Sequence, residues 1–346
     1  MPSAARLPVS KKTYLGLFQT MTDFTIVVLP GTFATSVAAT LDILRAASVL
    51  APRLKLASPT WRVVSASGGT VPLSAGMHLE TKALPKRHHL DMATWIVPGL
   101  GIDDADGLAA GLAREDALRV IQAVAAHAAR DGRVAASCSA VFLLQAAGLL
   151  SGRRVTTSWW LATELRKLEP SCIVDSDRMV CTDGLLSTAG AAFAQTDLML
   201  HLLRVRFGVA LAEAVGRVLL IDGRQAQAPF IVPTMLSNGD ELITRLVMRI
   251  ESALPNPPSV ETLAQEFAMS QRTLSRRVRE ATGKSTMALV HCVRMNRARM
   301  LIESSKMTIE AVAEQVGYGG ATALRRLMRK VAGANPSHYR ASGLAS

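Results

Sequence analysis

Between residues 24 and 207, short apolar, β-branched runs alternate with longer stretches whose apolar positions recur at helical spacing. That rhythm predicts an α/β domain with strands buried on both faces. The runs FTIVVL (24–29), WRVVSA (61–66), TWIVPG (94–99) and RVAAS (133–137) are the expected strands. Helices are expected over 34–50, 115–130 and 140–150, with Gly132, Gly148 and Gly152 near their ends, where a residue free to adopt positive φ stops a helix. The pattern implies a doubly wound, flavodoxin-like parallel sheet over residues 23–221, preceded by a loose tail over 1–22. The uncharged stretch 134–152 is long enough to raise the question of a membrane span. Ser137, Ser139, Gln145, Gly148 and Ser151 interrupt it, so a buried strand followed by a buried helix is expected and no membrane partner.

Periodicity disappears over residues 222–239, where Pro229, Pro233, Asn238 and Gly239 gather, and the segment reads as a linker. Residues 240–342 are then helical throughout. A first helix runs from Asp240 to the proline run at Pro255, since proline removes a backbone donor and clashes inside a helix. Beyond it the chain repeats itself. Val260, Leu263, Ala264 and Phe267 are matched 49 residues later by Ile309, Val312, Ala313 and Val316, each set tracing one face of a short helix. Each opens on a hydroxyl residue, Ser259 or Thr308, with Glu261 or Glu310 in the first turn. A tight turn and an arginine-rich second helix follow each time, which predicts two helix-turn-helix units in an all-α domain. A helix over about 286–304, with Leu289, Val293 and Met300 on one stripe, joins them.

Charge sharpens the reading. The 346-residue chain carries +12, and from Asp240 onward 16 Lys and Arg against 9 Asp and Glu leave +7 in under a third of its length. Double-stranded DNA is the expected partner. In the second helices Leu274, Val278, Leu324, Leu327 and Met328 are available for the core. Ser270, Gln271, Arg272, Thr273, Ser275, Arg276 and Arg279 in the first unit, and Gly320, Thr322, Arg325, Arg326 and Arg329 in the second, are the expected DNA-contacting residues. The last hundred residues, with LAQEFAMSQRTLSRRVREATGKS, RMNRARMLIE and IEAVAEQVGYGGATALRRLMRKVAGANPSHYR, resemble the DNA-binding domain of AraC/XylS-type regulators. Val278 and Met328 stand near positions where that family often has phenylalanine.

The N-terminal half carries the candidate chemistry. Cys138 falls between a strand and a helix, where a tight turn can lift a side chain toward a helix N-terminus, and Gly99, Leu100 and Gly101 end a neighbouring strand. Ligands of open α/β sheets sit at such carboxyl ends. Together with FTIVVLPGTFATSVAATLDIL and GLLSTAGAAFAQTDLMLHLL, these segments resemble the class I glutamine amidotransferase-like superfamily in its PfpI-type branch, and the whole chain is similar to GlxA-type regulators. The resemblance implies a sensing domain for a small nitrogenous metabolite, such as an amino acid, in a cytoplasmic homodimer, with RNA polymerase as a further candidate partner. Enzymes of the superfamily pair the cysteine with a histidine and commonly a carboxylate. Here Ser139 follows Cys138, Ser158 stands where relatives often have histidine, and the early acidic position falls near Ser36.

A neutral hydroxyl is no general base at neutral pH, so Cys138, Ser139, Ser158, Ser36 and Gly99–Gly101 are expected to line a pocket that binds without catalysis. For Cys138 a core position and a working nucleophile stay open as alternatives, and a cysteine hydrolase or glyoxalase-like enzyme tethered to DNA is the rival reading of the chain. A nucleoid-associated structural protein would share the basic charge, but it has no evident need for a pocketed domain. Cys172 and Cys181 are assigned to strand packing, and His88 and His89, among Lys86 and Arg87, to a solvated loop. With no CxxC pair and no zinc spacing, no metal and no cofactor is implied, and the four cysteines read as reduced thiols. In gel-shift titrations, replacing Arg272 or Arg276 is expected to weaken DNA binding more than replacing Lys11 or Lys12, which have no helix to present them; equal losses would refute the assignment.

Overall fold

A computed structural model describes residues 22–84, 92–102, 104–221, 224, 226–227, 231, 240–332 and 335–336. The expected tail through residue 21, the linker residues not named above and the basic stretch with His88 and His89 lie outside the described residues.

The strands are β1 (Phe24–Val27), β2 (Trp61–Ser65), β3 (Gly69–Pro72), β4 (His78–Ala83), β5 (Thr94–Val97), β6 (Val134–Ser137), β7 (Arg154–Val155), β8 (Ile173–Val174), β9 (Val180–Asp183) and β10 (Leu186–Ala189). Eight form one sheet in the order β3-β4-β2-β1-β5-β6-β10-β9, and β7 and β8 pair separately. From β4 to β10 every pairing is parallel, while β3 on β4 and β9 on β10 are antiparallel. The sheet is therefore mixed at both edges. The sequence did not signal the edge strands β3 and β9 because β3 exposes most of its residues, β9 fully buries only Cys181, and neither carries an apolar run.

Strand residues alternate between two cores, as the two-residue period of a strand requires. Val27, Trp95, Val97, Val134 and Ala136 face one side, where α2 (Ala105–Leu112), α3 (Glu115–Ala128) and α4 (Val141–Ala146) pack. Ile26, Ile96 and Ala135 face the other, under α1 (Ala34–Leu50), α6 (Ala194–Phe207) and α7 (Val209–Val218). The uncharged stretch 134–152 is β6, a 3-10 turn and the buried α4, so it ends inside the domain. Helix α1 extended by its 3-10 turn is long and apolar enough to cross a membrane, yet Val37, Ile43, Leu44 and Ala47 are buried in the second core. A further helix, α5 (Ala162–Leu168), lies after β7.

The C-terminal region is α8 (Glu241–Ser252), α9 (Val260–Glu266), α10 (Gln271–Thr282), α11 (Thr286–Ser304), α12 (Ile309–Gln315) and α13 (Ala321–Ala332). Two cores build it. Leu242, Leu246, Ile250, Leu263, Leu274, Val278, Leu289 and Val293 form the first; Met295, Ala298, Ile302, Val312, Leu324 and Met328 form the second. Val278 and Met328 are fully buried without phenylalanine. The expected stripe on α11 is corrected in one place, since Met300 is 48% exposed. At about 100° per residue, Leu289, Val290 and Val293 lie on nearly the opposite face of α11 from Met295, Ala298 and Ile302. One straight helix thus serves two cores on two sides, and no single stripe can run its length.

Where a loose linker is expected, its described residues are held. Asp197 on α6 is buried, and Arg224 meets its carboxylate through its backbone N–H at 2.8 Å and Nη2 at 2.7 Å, with Nη2 also donating to Phe193 O. Removing one partner of such a pair leaves a buried charge uncompensated. Arg224→Ala is expected to destabilise the chain by about 3 kcal/mol in urea denaturation, with Arg224→Ala/Asp197→Asn recovering part of the loss. A single-variant loss below about 0.5 kcal/mol, the level of an exposed pair, would contradict this.

Candidate ligand site and nucleic-acid interface

The expected site residues converge at the carboxyl ends of β5, β6 and β10. Cys138 follows β6 with φ of 55°, a conformation costly for a residue with a Cβ and characteristic of a nucleophile elbow. Three contacts hold it there: its N–H donates to Gly190 O at 2.7 Å, Thr157 Oγ1 donates to its carbonyl at 2.8 Å, and Ser158 Oγ donates to its Sγ at 3.0 Å. Gly99 must be glycine for this packing, because a Cβ there would stand 2.9 Å from the Cβ of Cys138.

Around the elbow, backbone and hydroxyl groups are bonded to one another. The Leu100 N–H donates to Ser139 Oγ at 3.1 Å, and Gly99 O accepts from Phe33 N–H at 2.8 Å. Gly101, with φ of 69°, lies so near Gly31 that a Cβ would sit 2.4 Å from its carbonyl oxygen. Ser139 and Ser158 are fully buried and Cys138 is 6% exposed. Ser36 is buried as well, but its hydroxyl donates to Ala192 O, two residues beyond the Gly190 that anchors Cys138. A hydroxyl that donates to sulfur supports the thiol as an acceptor and takes no proton from it.

The other thiols are structural. Cys181 lies on β9; Cys172 sits just before β8 rather than in a strand, donating to Arg153 O at 3.3 Å. Burial pushes the thiols of Cys172, Cys181 and Cys292 up to about 11. Among the described residues, no group of three His, Cys, Asp or Glu side chains is placed to hold a metal ion.

Sequence reasoning missed the groups that frame the elbow from behind. Gln227, 2% exposed, accepts from Ala191 N–H at 2.9 Å through Oε1. Its amide NH2 lies 3.0–3.3 Å from Thr156 Oγ1, Thr157 O, Ser176 O and Arg178 O. A lone glutamine in a proline-rich segment carries no signal of such a role. Trp159 and Trp160, directly after Ser158, also went unread; Trp159 is buried in the first core of the helical region together with Ile231.

In that region the two units share one construction. Ser259 and Thr308 cap α9 and α12 by accepting from Thr262 N–H and Ala311 N–H. Ser270 caps α10 by accepting from Thr273 N–H at 3.1 Å, so its hydroxyl is committed to the helix start. Gln271, Arg272, Arg276 and Arg279 are exposed on α10, with Thr273 and Ser275 half-buried; Thr322, Arg326 and Arg329 are exposed on α13, which follows Gly320 at φ 124°. Arg276 pairs with Glu280 at 2.9 Å and Arg325 with Glu310 at 3.2 Å. These are solvent-facing pairs that a phosphate can replace.

The DJ-1/PfpI family matches residues 38–205, and a helix-turn-helix domain family matches residues 263–342. Residues 38–205 are accordingly a DJ-1/PfpI domain and residues 263–342 an AraC-type helix-turn-helix domain. It is similar to the HTH-type transcriptional regulator GlxA of Rhizobium meliloti, 26% identical over 308 residues that cover 86% of this chain and 90% of that protein. The HTH-type transcriptional regulator GbdR of Pseudomonas aeruginosa is 24% identical over 297 residues, covering 80% and 81%. The crystal structure of an AraC family transcriptional regulator from Pseudomonas putida aligns with a TM-score of 0.47 at 19% identity, over 57% of this chain and 99% of that one.

At pH 8 a thiol with pKa about 11 is thiolate in roughly one molecule in a thousand. In the native protein Cys172, Cys181 and Cys292 are therefore expected to react with a maleimide at least ~10-fold more slowly than after unfolding in urea. Equal rates in the two states, read by peptide mass spectrometry, would refute the assignment.

Proposed function

We propose that the chain is a cytoplasmic, sequence-specific DNA-binding transcription regulator whose DJ-1/PfpI domain senses a small metabolite without turning it over. The observation that carries the reading is the pair of capped helix-turn-helix units with exposed arginines on their second helices, in one chain with the elbow domain. In each unit, groups near the start of the second helix reach base edges and later arginines take phosphates. Binding to promoter DNA as a homodimer, with RNA polymerase as the downstream partner, follows from this reading.

For the effector, an amino acid or related nitrogenous compound fits the resemblance on which this reading rests. The elbow supplies placement, and an effector there exchanges with the bonds that Ser139 Oγ makes to Leu100 N–H and Ser158 Oγ to Cys138 Sγ. A base for Cys138 is what an enzyme would add, and the hydroxyl donated by Ser158 is not one.

Footprinting of the full chain on its operator is expected to protect two major-groove segments per chain, about one helical turn apart; a single protected segment with both units folded would sink the arrangement. A thermal-shift screen against amino acids and betaines is expected to raise the melting temperature for the effector class, since a ligand of the native state stabilises it by mass action. Sustained amide hydrolysis or glyoxal conversion by the wild-type chain, lost on Cys138→Ala, would overturn the non-enzymatic reading.

A further inference from the structure

The ligand site and the first helix-turn-helix unit are joined by one short piece of chain. Residues Thr156, Thr157 and Ser158 are fully buried, and two of them hold Cys138, through Thr157 Oγ1 to its carbonyl and Ser158 Oγ to its Sγ. The next residue, Trp159, is 7% exposed and belongs to the same apolar core as Leu246, Leu263, Leu274, Val278 and Leu289 of the first unit. Trp160 packs edge-on against it, with ring centroids 5.1 Å apart. A peptide of five residues thus holds the elbow through Thr157 and Ser158 and enters the core of the DNA-binding domain with the next residue, Trp159.

Three further contacts converge on that unit. Ile231, 2% exposed, enters the same core four residues after Gln227, whose amide grips Thr156 and Thr157. Lys284, just past the end of α10, pairs with Asp177 at 2.7 Å, and its side chain is only 13% exposed. Arg166 on α5 lies against the Gly283 backbone so closely that a Cβ there would fall 2.0 Å from its Nη1. This places a guanidinium at the negative end of the α10 dipole. The second unit has its own core and meets the first through α11, which buries nearly opposite faces in the two, and just past the end of α8, where a Cβ on Gly317 would fall 1.8 Å from the Pro255 carbonyl oxygen.

We propose that residues 156–160, backed by Gln227, are the relay that couples the elbow site to the DNA-binding domain, and that they act on the first helix-turn-helix unit, the second being reached through the first. This rests on the sensor-regulator reading above. A change at Cys138 that disturbs its bond with Ser158 shifts Trp159 within the first unit's core, and with it the C-terminal end of α10. The residues of α10 that face DNA remain exposed, so the docking sets the orientation of the unit rather than covering it. Because coupling between two sites is reciprocal, loosening the docking must in turn be felt at Cys138.

Hydrogen exchange of the full chain tests the forward direction, with no DNA or effector present. In Ser158→Ala and in Gln227→Ala, backbone amides of residues 278–293 are expected to exchange at least ~5-fold faster than in wild type, with 309–328 unchanged. Rates at 278–293 within twofold of wild type in both variants would overturn the relay. An equal rise in both units would overturn it too, by showing general loosening.

N-ethylmaleimide labelling of Cys138, followed by peptide mass spectrometry, tests the reverse direction and decides alone if those variants fail to fold. Asp177→Lys, which reverses the exposed partner of Lys284, is expected to speed labelling at least ~3-fold, and the swapped pair Asp177→Lys/Lys284→Asp to restore the wild-type rate. Unchanged labelling in Asp177→Lys, or no restoration in the swapped pair, overturns the proposal. Neither readout involves DNA, so a chain that passed both yet bound no specific duplex would refute the regulator reading alone. One that bound its operator but failed both would refute only the relay.

Discussion

One buried amide organises the joint between the two domains. Gln227 comes from the proline-bearing segment that the sequence reads as a linker; its N–H donates to Asp177 O at 2.8 Å beside the antiparallel bridge of Ala226 with Arg178, and its side chain adds the deeper contacts. Oε1 and Nε2 reach five groups of the α/β domain, on both sides of the peptide that carries Thr156 and Thr157. A buried amide left without partners would cost about 1–3 kcal/mol, so these bonds specify one path for the chain. Arg224 on Asp197 fixes the path upstream and Ile231 in the helical core fixes it downstream. The described residues Arg224 and Gln227 are consequently part of the α/β domain's structure, and Ile231 gives the helical domain a fixed place beside it.

From that place the helical domain is built asymmetrically. The repeat gives the first helix of each helix-turn-helix unit a hydroxyl cap and buried i+3, i+4 residues, Leu263 and Ala264 or Val312 and Ala313, and in isolation these helices would be near copies. Helix α11 breaks the equivalence by burying Leu289, Val290 and Val293 on one side and Met295, Ala298 and Ile302 on the other. The first unit gains Trp159 and Ile231 in its core, while the second keeps a core of its own. Two similar reading heads therefore stand in different mechanical relations to the α/β domain.

The elbow shows how one fold can keep the geometry of a reaction centre while holding different chemistry. A positive φ at Cys138 is strain that the surrounding structure must hold, and it does so with Gly190, Thr157 and a glycine at position 99. The same placement that would present a nucleophile here presents a thiol to a serine hydroxyl. Fold alone does not decide between binding and turnover; the side chains set at the end of β6 do.

Periodicity was enough to reveal the α/β alternation, the central strands, α1 to the residue, and both helix-turn-helix units, because each depends on local burial patterns with a fixed period. Cys138 and its neighbours Gly99, Leu100 and Ser139 were legible for a related reason: a strand followed at once by a helix leaves a recognisable turn between them. The edge strands β3 and β9 were not legible, since exposed or half-buried strands lack an apolar run, and neither was the rotation of the buried face along α11, which depends on two cores a linear stripe cannot describe. Gln227, Arg224, Trp159 and Lys284 were invisible for a deeper reason. Each acts on residues far away in sequence, and a polar or aromatic side chain in an aperiodic segment looks the same whether it faces solvent or ties two domains together. The sequence by itself determined which elements form and which residues of the helical repeat face outward; only the tertiary structure decided how the elbow, the connecting segment and the first helix-turn-helix unit become one body, because burial and hydrogen-bond partners at that joint are set by packing across long separations.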